Sequence, residues 1–230
     1  MLITGASRGL GRALALAGAR EGASLVLCAR GAEALNAVAG ECRKRHADVL
    51  AIVADVGNPR DVERLATSAL DRFGIVDIAV NNASALGPTP LPYLADASPD
   101  ALEAVLRTNV LGPLRITQAL IGGLLLRGQG LIVNISSDAA VNGYPGWGVY
   151  GASKAALDAL TRSWAAETSG SGVRVISIDP GDMDTDMHRA AVPDADAADL
   201  ARPEDVADRI VDLIGGALPA ADRLEVASLP

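Results

Sequence analysis

Short apolar runs recur along the chain, separated by longer stretches in which apolar residues repeat every three or four positions. Runs of four to eight apolar residues bounded by turn residues are typical of buried strands, whereas the longer period predicts helices. The predicted strands are Met1–Ile3, Ser24–Cys28, Val49–Val53, Asp77–Val80, Leu131–Ile135, Val173–Ile178 and Arg223–Ala227. The first predicted helix begins near Leu10. The other predicted helices span Pro59–Phe73, Asp100–Leu126, Tyr150–Thr168 and Pro203–Ile214.

Strands that alternate with helices predict an α/β fold with a doubly wound parallel sheet and helices on both faces, a three-layer αβα arrangement. Neither a linker nor a repeat interrupts the pattern. A length of 230 residues suits one large domain covering 1–230, and with 50% hydrophobic residues the chain can build a sizeable core.

The overall charge of the chain narrows the set of partners. A formal net charge of −8 disfavours nucleic acid and anionic membrane surfaces. The longest apolar run, Ala119–Leu126, is far shorter than the roughly twenty residues of a membrane span, and no leader pattern opens the chain. We therefore expect a cytoplasmic protein that engages neither nucleic acid nor a membrane.

The four cysteines and histidines are Cys28, Cys42, His46 and His188. None of them lies at a spacing typical of a metal or redox site. We expect no metal site and read both cysteines as thiols in a reducing compartment.

A glycine-rich loop follows the first predicted strand and precedes the first predicted helix. Gly5, Gly9 and Gly11 permit a tight turn and a close approach of the backbone, and a helix N-terminus attracts a pyrophosphate. This context predicts a Rossmann-type dinucleotide site.

The end of the second strand indicates which dinucleotide binds. In such folds an acid at this position binds the ribose 2′-hydroxyl, whereas an arginine accommodates a 2′-phosphate. Here Ala29 and Arg30 follow the strand, and Arg8 lies in the glycine loop. Two guanidinium groups and no carboxylate favour NADP(H) over NAD, unless Arg30 merely begins a solvated loop.

Tyr150 and Lys154 are four residues apart, so on a helix they lie on one face. Ser137 follows the buried run Leu131–Ile135, where the carboxyl ends of parallel strands meet a ligand. These three side chains could donate, accept and steer a proton beside that ligand. The alternative is an ordinary, partly solvated turn of helix.

The segment TGASRGLG, together with the Tyr-x-x-x-Lys pair and its upstream serine, resembles the short-chain dehydrogenase/reductase family from Thr4 to Met187. The resemblance implies reduction of a ketone or aldehyde by NADPH, or the reverse oxidation. It makes Tyr150 the acid that protonates the carbonyl oxygen and Ser137 the group that orients the substrate. The charge of Lys154, helped by the oxidised nicotinamide, would lower the pKa of Tyr150. It also implies homodimers or homotetramers.

The same resemblance assigns cofactor contacts. They are Gly5, Ser7, Arg8, Gly9, Leu10, Gly11, Arg30, Asp55, Val56, Asn82, Ala83, Tyr150, Lys154, Pro180, Gly181, Met183 and Thr185. Asp55 could instead act only as a turn former. Ser84 stands where the family usually has glycine, so its backbone must avoid a conformation open only to glycine.

Asn109 matches the family's active-site asparagine, which is thought to hold a water that links the lysine to solvent. Pro113 has no N–H to donate to the Asn109 carbonyl, so that carbonyl is left free inside the predicted helix. The proline could also merely kink the helix.

Variable segments surround the predicted active site. Tyr144, Trp147 and Tyr150 are half of the six aromatic residues, which predicts an apolar pocket wall or else a self-packed surface loop. We expect residues 186–202 to form a mobile substrate flap. Two other functions stay open: a 3-oxoacyl-carrier-protein reductase, which the stretch Thr185–Met187 resembles, and a non-catalytic NADP(H)-sensing module.

Overall fold

A computed structural model describes residues 1–228. Seven parallel strands form one sheet in the order β3-β2-β1-β4-β5-β6-β7. Their bounds are β1 Leu2–Thr4, β2 Leu25–Ala29, β3 Val49–Val53, β4 Ile78–Asn81, β5 Gly130–Ile135, β6 Val173–Asp179 and β7 Arg223–Glu225. The strand order reverses between the neighbours β1 and β4, which is where open α/β sheets bind their ligands.

Eight α-helices connect and cover the strands in the described part of the chain. Their bounds are α1 Gly9–Arg20, α2 Ala32–Arg43, α3 Pro59–Phe73, α4 Pro99–Leu106, α5 Gly112–Arg127, α6 Gly148–Glu167, α7 Asp186–Ala191 and α8 Pro203–Gly215. The sequence prediction of a doubly wound, single-domain α/β fold is confirmed.

Two apolar layers hold the sheet between the helices. On one face, side chains such as Leu14 of α1 and Ile210 of α8 pack with Ile3 and Ile176 of the sheet. The opposite layer contains Leu65 of α3 and Leu120 of α5, among others. Strands buried on both faces explain why their sequences are almost continuously apolar.

The predicted helix Asp100–Leu126 is interrupted. A π-helical turn spans Arg107–Leu111, and the Gly112 N–H donates to the carbonyl of Arg107, five residues back. The turn ends just before Pro113, which cannot donate to the carbonyl four residues back. The missing donor thus accompanies a local change of helix type, and single π-turns of this kind are frequent at functional sites.

By length and composition alone, residues 99–127 could also cross a membrane. In the structure, however, Ile116, Leu120 and Leu124 of this stretch pack into the core beside the sheet. The apolar residues of this segment therefore bury one side of helix α5 in the core.

Strand ends differ from the prediction by one or two residues. Ala29 belongs to β2, Asn81 to β4 and Asp179 to β6. The predicted final strand Arg223–Ala227 stops at Glu225, because residues Val226–Ser228 turn into a short 3₁₀ helix. Since β5 ends at Ile135, Ser137 lies two residues beyond the strand.

Candidate active site

A cleft of about 710 Å³ lies over the carboxyl ends of the strands. Such a volume is typical of cofactor and substrate sites. All seventeen cofactor contacts expected from the sequence line it, and so does Ser137. Asn109 is the one predicted site residue that does not, because its side chain lies fully buried behind the wall.

The glycine loop crosses the bottom of this cleft between β1 and α1. A Cβ on Gly11 would lie 2.3 Å from the Gly5 carbonyl oxygen, so no larger residue fits there. Gly5 and Gly9 have φ angles of 66° and 52°, a region that favours glycine. The loop therefore brings bare backbone to the N-terminus of α1, where phosphate groups bind.

Polar side chains from β1 and β4 fix the loop. Thr4 Oγ1 accepts hydrogen bonds from the backbone N–H groups of Asn82 and Ala83, both at 3.0 Å. The Asn82 side chain in turn donates to the Thr4 carbonyl at 2.8 Å. Asn82 thus acts on the cofactor site mainly by joining the two central strands at their ends.

The other end of the cofactor channel carries arginine. Arg30 follows β2, lines the cleft and is exposed. Within residues 1–228 it forms no ion pair that would neutralise its guanidinium. Arg8 is held loosely at 3.8 Å from Asp186, with both side chains mostly exposed. Both arginines therefore remain available to an anionic group.

Asp55 has a turn-forming role as well as a place in the cleft wall. Its Oδ1 accepts a hydrogen bond from the Gly57 N–H at 2.8 Å, and its own N–H donates to Asp61. The turn-former reading of the sequence is therefore correct for one of its oxygens.

Tyr150 and Lys154 lie on the first turns of α6 and point into the same end of the cleft. The Lys154 ammonium lies 5.5 Å from the centroid of the Tyr150 ring and donates to the Ile135 carbonyl at 2.7 Å. A Cβ on Gly151 would lie 2.7 Å from the Ala139 carbonyl, so this glycine brings α6 close to the segment after β5. That close approach places Tyr150 beside Ser137.

Ser137 is held by its own short turn. Its Oγ accepts from the Ala139 N–H at 3.2 Å and donates to Asp138 Oδ1 at 3.0 Å. Asp138 also accepts a 2.7 Å hydrogen bond from the Tyr144 hydroxyl. The Asp138 carboxylate therefore lies at the substrate end of the cleft, a role that sequence reasoning missed although Asp138 directly follows Ser137.

Asn109, in the π-helical turn, forms hydrogen bonds to the loop after β4 and to helix α6. Its Oδ1 accepts from the Ala85 N–H at 2.8 Å, and its Nδ2 donates to the Ala85 carbonyl and to Ser153 Oγ, both at 2.9 Å. Ser153 donates onward to the Tyr150 carbonyl at 2.6 Å. The Asn109 side chain thus fixes the loop after β4 against the helical turn that carries the phenol.

Burial sets the charge states of Tyr150 and Lys154. It raises the pKa of Tyr150 above its ordinary value of 10, an effect that the nearby hydroxyls of Ser84 and Ser137 oppose. The lower pKa expected from Lys154 and the oxidised nicotinamide concerns the cofactor complex, whereas in the protein alone desolvation of the phenolate dominates. The protein by itself holds Tyr150 as a neutral phenol.

Lys154 responds to the same desolvation in the opposite sense. Burial lowers the pKa of Lys154 from its ordinary 10.5 to about 8, while the carboxylates of Asp158 and Asp179 oppose the effect. The ammonium group therefore still carries its charge at neutral pH.

Arg223 of β7 supports the site from behind, and nothing in the sequence pattern marked it. It pairs with Asp158 of α6 at 3.2 Å and with Asp179 at the end of β6 at 3.0 Å. It also donates to the Ser137 carbonyl at 3.3 Å. Asp179 in turn accepts from the Gly181 N–H at 3.0 Å, which forms the Pro-Gly turn of the cleft wall.

Comparison with known proteins decides the family. The profile described as short chain dehydrogenase matches residues 1–196, most of the chain. The chain belongs to the short-chain dehydrogenase/reductase family. The resemblance inferred from the glycine loop and the Tyr-x-x-x-Lys pair is thereby confirmed, and the chain is an oxidoreductase of that family.

Curated relatives have several different activities. A glycine betaine reductase of Emericella nidulans is 36% identical over 219 residues, which cover 91% of this chain but only 17% of that protein. A 3-oxoacyl-(acyl-carrier-protein) reductase of Synechocystis sp. is 36% identical over 215 residues, covering 91% of this chain and 86% of the relative. The relatives therefore share the fold and the class of enzyme rather than one substrate.

Solved structures of similar shape bind either nicotinamide dinucleotide. An alcohol dehydrogenase from the archaeon Thermococcus sibiricus, complexed with 5-hydroxy-NADP, superimposes with a TM-score of 0.85 at 31% identity over 97% of this chain and 93% of its own. An NAD⁺-bound xylitol dehydrogenase gives a TM-score of 0.83 at 26% identity over 96% of each chain.

Within residues 1–228, no group of three or more His, Cys, Asp or Glu side chains is arranged to hold a metal ion. His188 lines the cleft 3.7 Å from Asp182, a pair that the sequence did not indicate.

Proposed function

We propose that this protein is an NADP(H)-dependent oxidoreductase that reduces a ketone or aldehyde to an alcohol, or catalyses the reverse reaction. The proposal rests on one observation, which is that the predicted cofactor site and the predicted active site share one cleft. A glycine loop and Arg30 line one end, and Ser137, Tyr150 and Lys154 line the other. The loop fits a dinucleotide because a Cβ at Gly11 would fill its cradle.

Bound NADPH would supply the hydride for reduction. Tyr150, kept neutral by burial, would give its proton to the substrate oxygen, which forms the O–H bond of the alcohol. The phenolate left behind would be stabilised by the Lys154 ammonium at 5.5 Å from the ring centroid. Ser137 would donate a hydrogen bond to the substrate oxygen once it exchanges Asp138 for the substrate.

Asn109 would act as a positioning residue in this reaction. Its side chain is occupied by Ala85 and Ser153, so it reaches the phenol through Ser153 and the Tyr150 carbonyl. Its backbone carbonyl, in the π-turn before Pro113, would hold the water that returns a proton to Lys154 and Tyr150.

The charge at the end of β2 supports NADP(H) over NAD. No carboxylate follows Ala29, and Arg30 and Arg8 both line the cleft. A 2′-phosphate would find two guanidinium groups there, whereas a ribose 2′-hydroxyl would lack its usual acidic partner.

We favour small carbonyl compounds over acyl groups on an acidic carrier. The carboxylates of Asp138 and Asp182 line the cleft and would repel an acidic partner. Segment 186–202, which contains α7, would act as a mobile substrate flap, since its residues Met187 and Val192 line the cleft.

The remaining expectations concern the cell and the assembly. We propose a cytoplasmic enzyme that binds neither nucleic acid nor membranes. The family resemblance supports a homodimer or homotetramer, paired through the helices around Asn109 and Tyr150.

The proposal is tested by following NADPH and NADH absorbance against ketones, aldehydes, diketones and acyl thioesters. We expect turnover of at least one ketone or aldehyde, faster with NADPH at equal concentration. Turnover restricted to carrier-bound thioesters would favour the acyl-carrier reductase, and tight NADPH binding without turnover of any carbonyl would favour the sensing module.

A further inference from the structure

Ser84 occupies a position in the cleft that the reaction described above does not use. It follows β4 and lines the cleft together with Tyr150. Its Oγ is buried and has no hydrogen-bond partner among residues 1–228. A buried hydroxyl without a partner lowers stability, so its presence calls for an explanation.

The loop around Ser84 is held firmly on both sides. Before it, the N–H groups of Asn82 and Ala83 donate to Thr4 Oγ1. After it, both backbone groups of Ala85 pair with the Asn109 side chain at 2.8 and 2.9 Å. Ser84 also lacks a positive φ, so its serine is unstrained in this loop. The position of the hydroxyl is therefore fixed by its neighbours.

Two serine side chains line the cleft near the phenol of Tyr150. The nearby Ser84 and Ser137 hydroxyls both lower the pKa of Tyr150 against the larger effect of burial. Ser137, however, also donates to Asp138 and accepts from the Ala139 N–H. When a substrate oxygen takes the Ser137 hydroxyl, Ser84 is the hydroxyl that remains free to serve the phenol.

We infer that Ser84 is a positioning residue that donates a hydrogen bond to the Tyr150 oxygen after that oxygen has given up its proton. The inference rests on the proposed function, since it concerns the same proton transfer. In reduction, the proton leaves Tyr150 for the substrate oxygen, the charge stays on the phenolate, and the Ser84 O–H keeps its own proton. Ser84 thus stabilises the phenolate, whereas Ser137 orients the substrate.

The expected change in the pKa of Tyr150 follows from the strength of a hydrogen bond to a charged oxygen. A hydrogen bond to a charged group is worth roughly twice a neutral one, and its loss raises the pKa of the acceptor by about one unit. Replacing Ser84 should therefore raise the pKa of Tyr150 in the NADP⁺ complex by about one unit. Below that pKa, alcohol oxidation should slow by about tenfold.

The experiment compares Ser84→Ala and Ser84→Gly with the unmodified enzyme. The chain has three tyrosines, so ¹³C labelling at tyrosine Cζ gives three signals, assigned with Tyr93→Phe and Tyr144→Phe. We would titrate the Tyr150 signal in the NADP⁺ complex and record the pH profile of kcat/KM for alcohol oxidation. Ser136→Ala is the matched control, because Ser136 Oγ is also buried and unpartnered in the same cleft.

The expected result is a rise of about one unit in the Tyr150 pKa and in the acidic limb of the pH profile for both Ser84 variants, with no such change in Ser136→Ala. Thermal stability should stay equal or increase, because the variants lose an unpartnered hydroxyl. A Tyr150 signal that titrates as in the unmodified enzyme would overturn the inference, as would a fall in stability without a pKa change. Absence of turnover with every substrate would refute the proposed function, whereas the NMR titration would still decide the role of Ser84.

Discussion

Lys154→Met tests whether the active-site ammonium is held charged in a buried setting. Lys154 is 2% exposed, and burial lowers its pKa from 10.5 to about 8. Methionine has a similar length and no charge, so it removes the ammonium while filling most of its volume. It also leaves the Ile135 carbonyl without its 2.7 Å donor, a loss that does not depend on pH.

The size of the effect follows from the two pKa values. Each pKa unit corresponds to about 1.4 kcal/mol, so a charged Lys154 costs the folded, cofactor-free protein on the order of 3 kcal/mol at pH 7. The cost is fully present below pH 8, where both the folded and the unfolded chain bind the proton. Between pH 8 and 10.5 Lys154 keeps its proton only in the unfolded chain. The unfavourable contribution of Lys154 to the free energy of unfolding therefore disappears as the pH rises.

The assay is urea unfolding of the cofactor-free protein and the variant at several values between pH 7 and 10.5. The free energy of unfolding of the unmodified protein, minus that of Lys154→Met, should increase by about 3 kcal/mol across this range. All other titrating groups cancel in this difference. A difference that stays constant with pH would show that the ammonium is solvated, and would refute the reasoning.

Two substitutions at the cofactor end of the cleft make further predictions. Arg30→Ala should raise the KM for NADPH about tenfold or more and leave the KM for NADH almost unchanged, because only NADPH offers a 2′-phosphate. Steady-state kinetics with both cofactors checks this prediction. An equal rise in KM for both cofactors would contradict it. Gly11→Ala should abolish NADPH binding in a fluorescence titration, since the new Cβ would lie 2.3 Å from the Gly5 carbonyl oxygen. Gly40→Ala is its control, because a Cβ there meets nothing within 4 Å, and retained binding by Gly11→Ala would argue against the cradle.

Local patterns were sufficient to predict the fold and the location of the candidate site. Buried parallel strands produce continuous apolar runs, and the ends of those runs locate the cleft. The spacing of Tyr150 and Lys154 needed only helical geometry, and Gly5, Gly9 and Gly11 needed only their position between a strand and a helix. Each of these inferences depends on residues close together in sequence.

Features that depend on distant residues were missed. Arg223 reaches Asp158 and Asp179 only because β7 adds to the sheet beside β6, and no local pattern pairs residues 44 or 65 positions apart. Burial raises the pKa of Tyr150 in the cofactor-free protein, and local sequence did not show this because burial is a property of the packed site. Pro113 marked the interruption of the helix, but the wider turn that results is set by packing around Asn109.

Tyr150→Phe tests the central claim most directly, with NADPH binding and turnover measured on the same preparation. The substitution removes one oxygen and keeps the ring that packs edge-on against Trp147 at 5.7 Å. We predict that the affinity for NADPH stays within about threefold, and that turnover of a carbonyl substrate falls by about 10²–10⁴, the usual contribution of a positioned acid. Turnover close to that of the unmodified enzyme would contradict the assignment of Tyr150 as the proton donor.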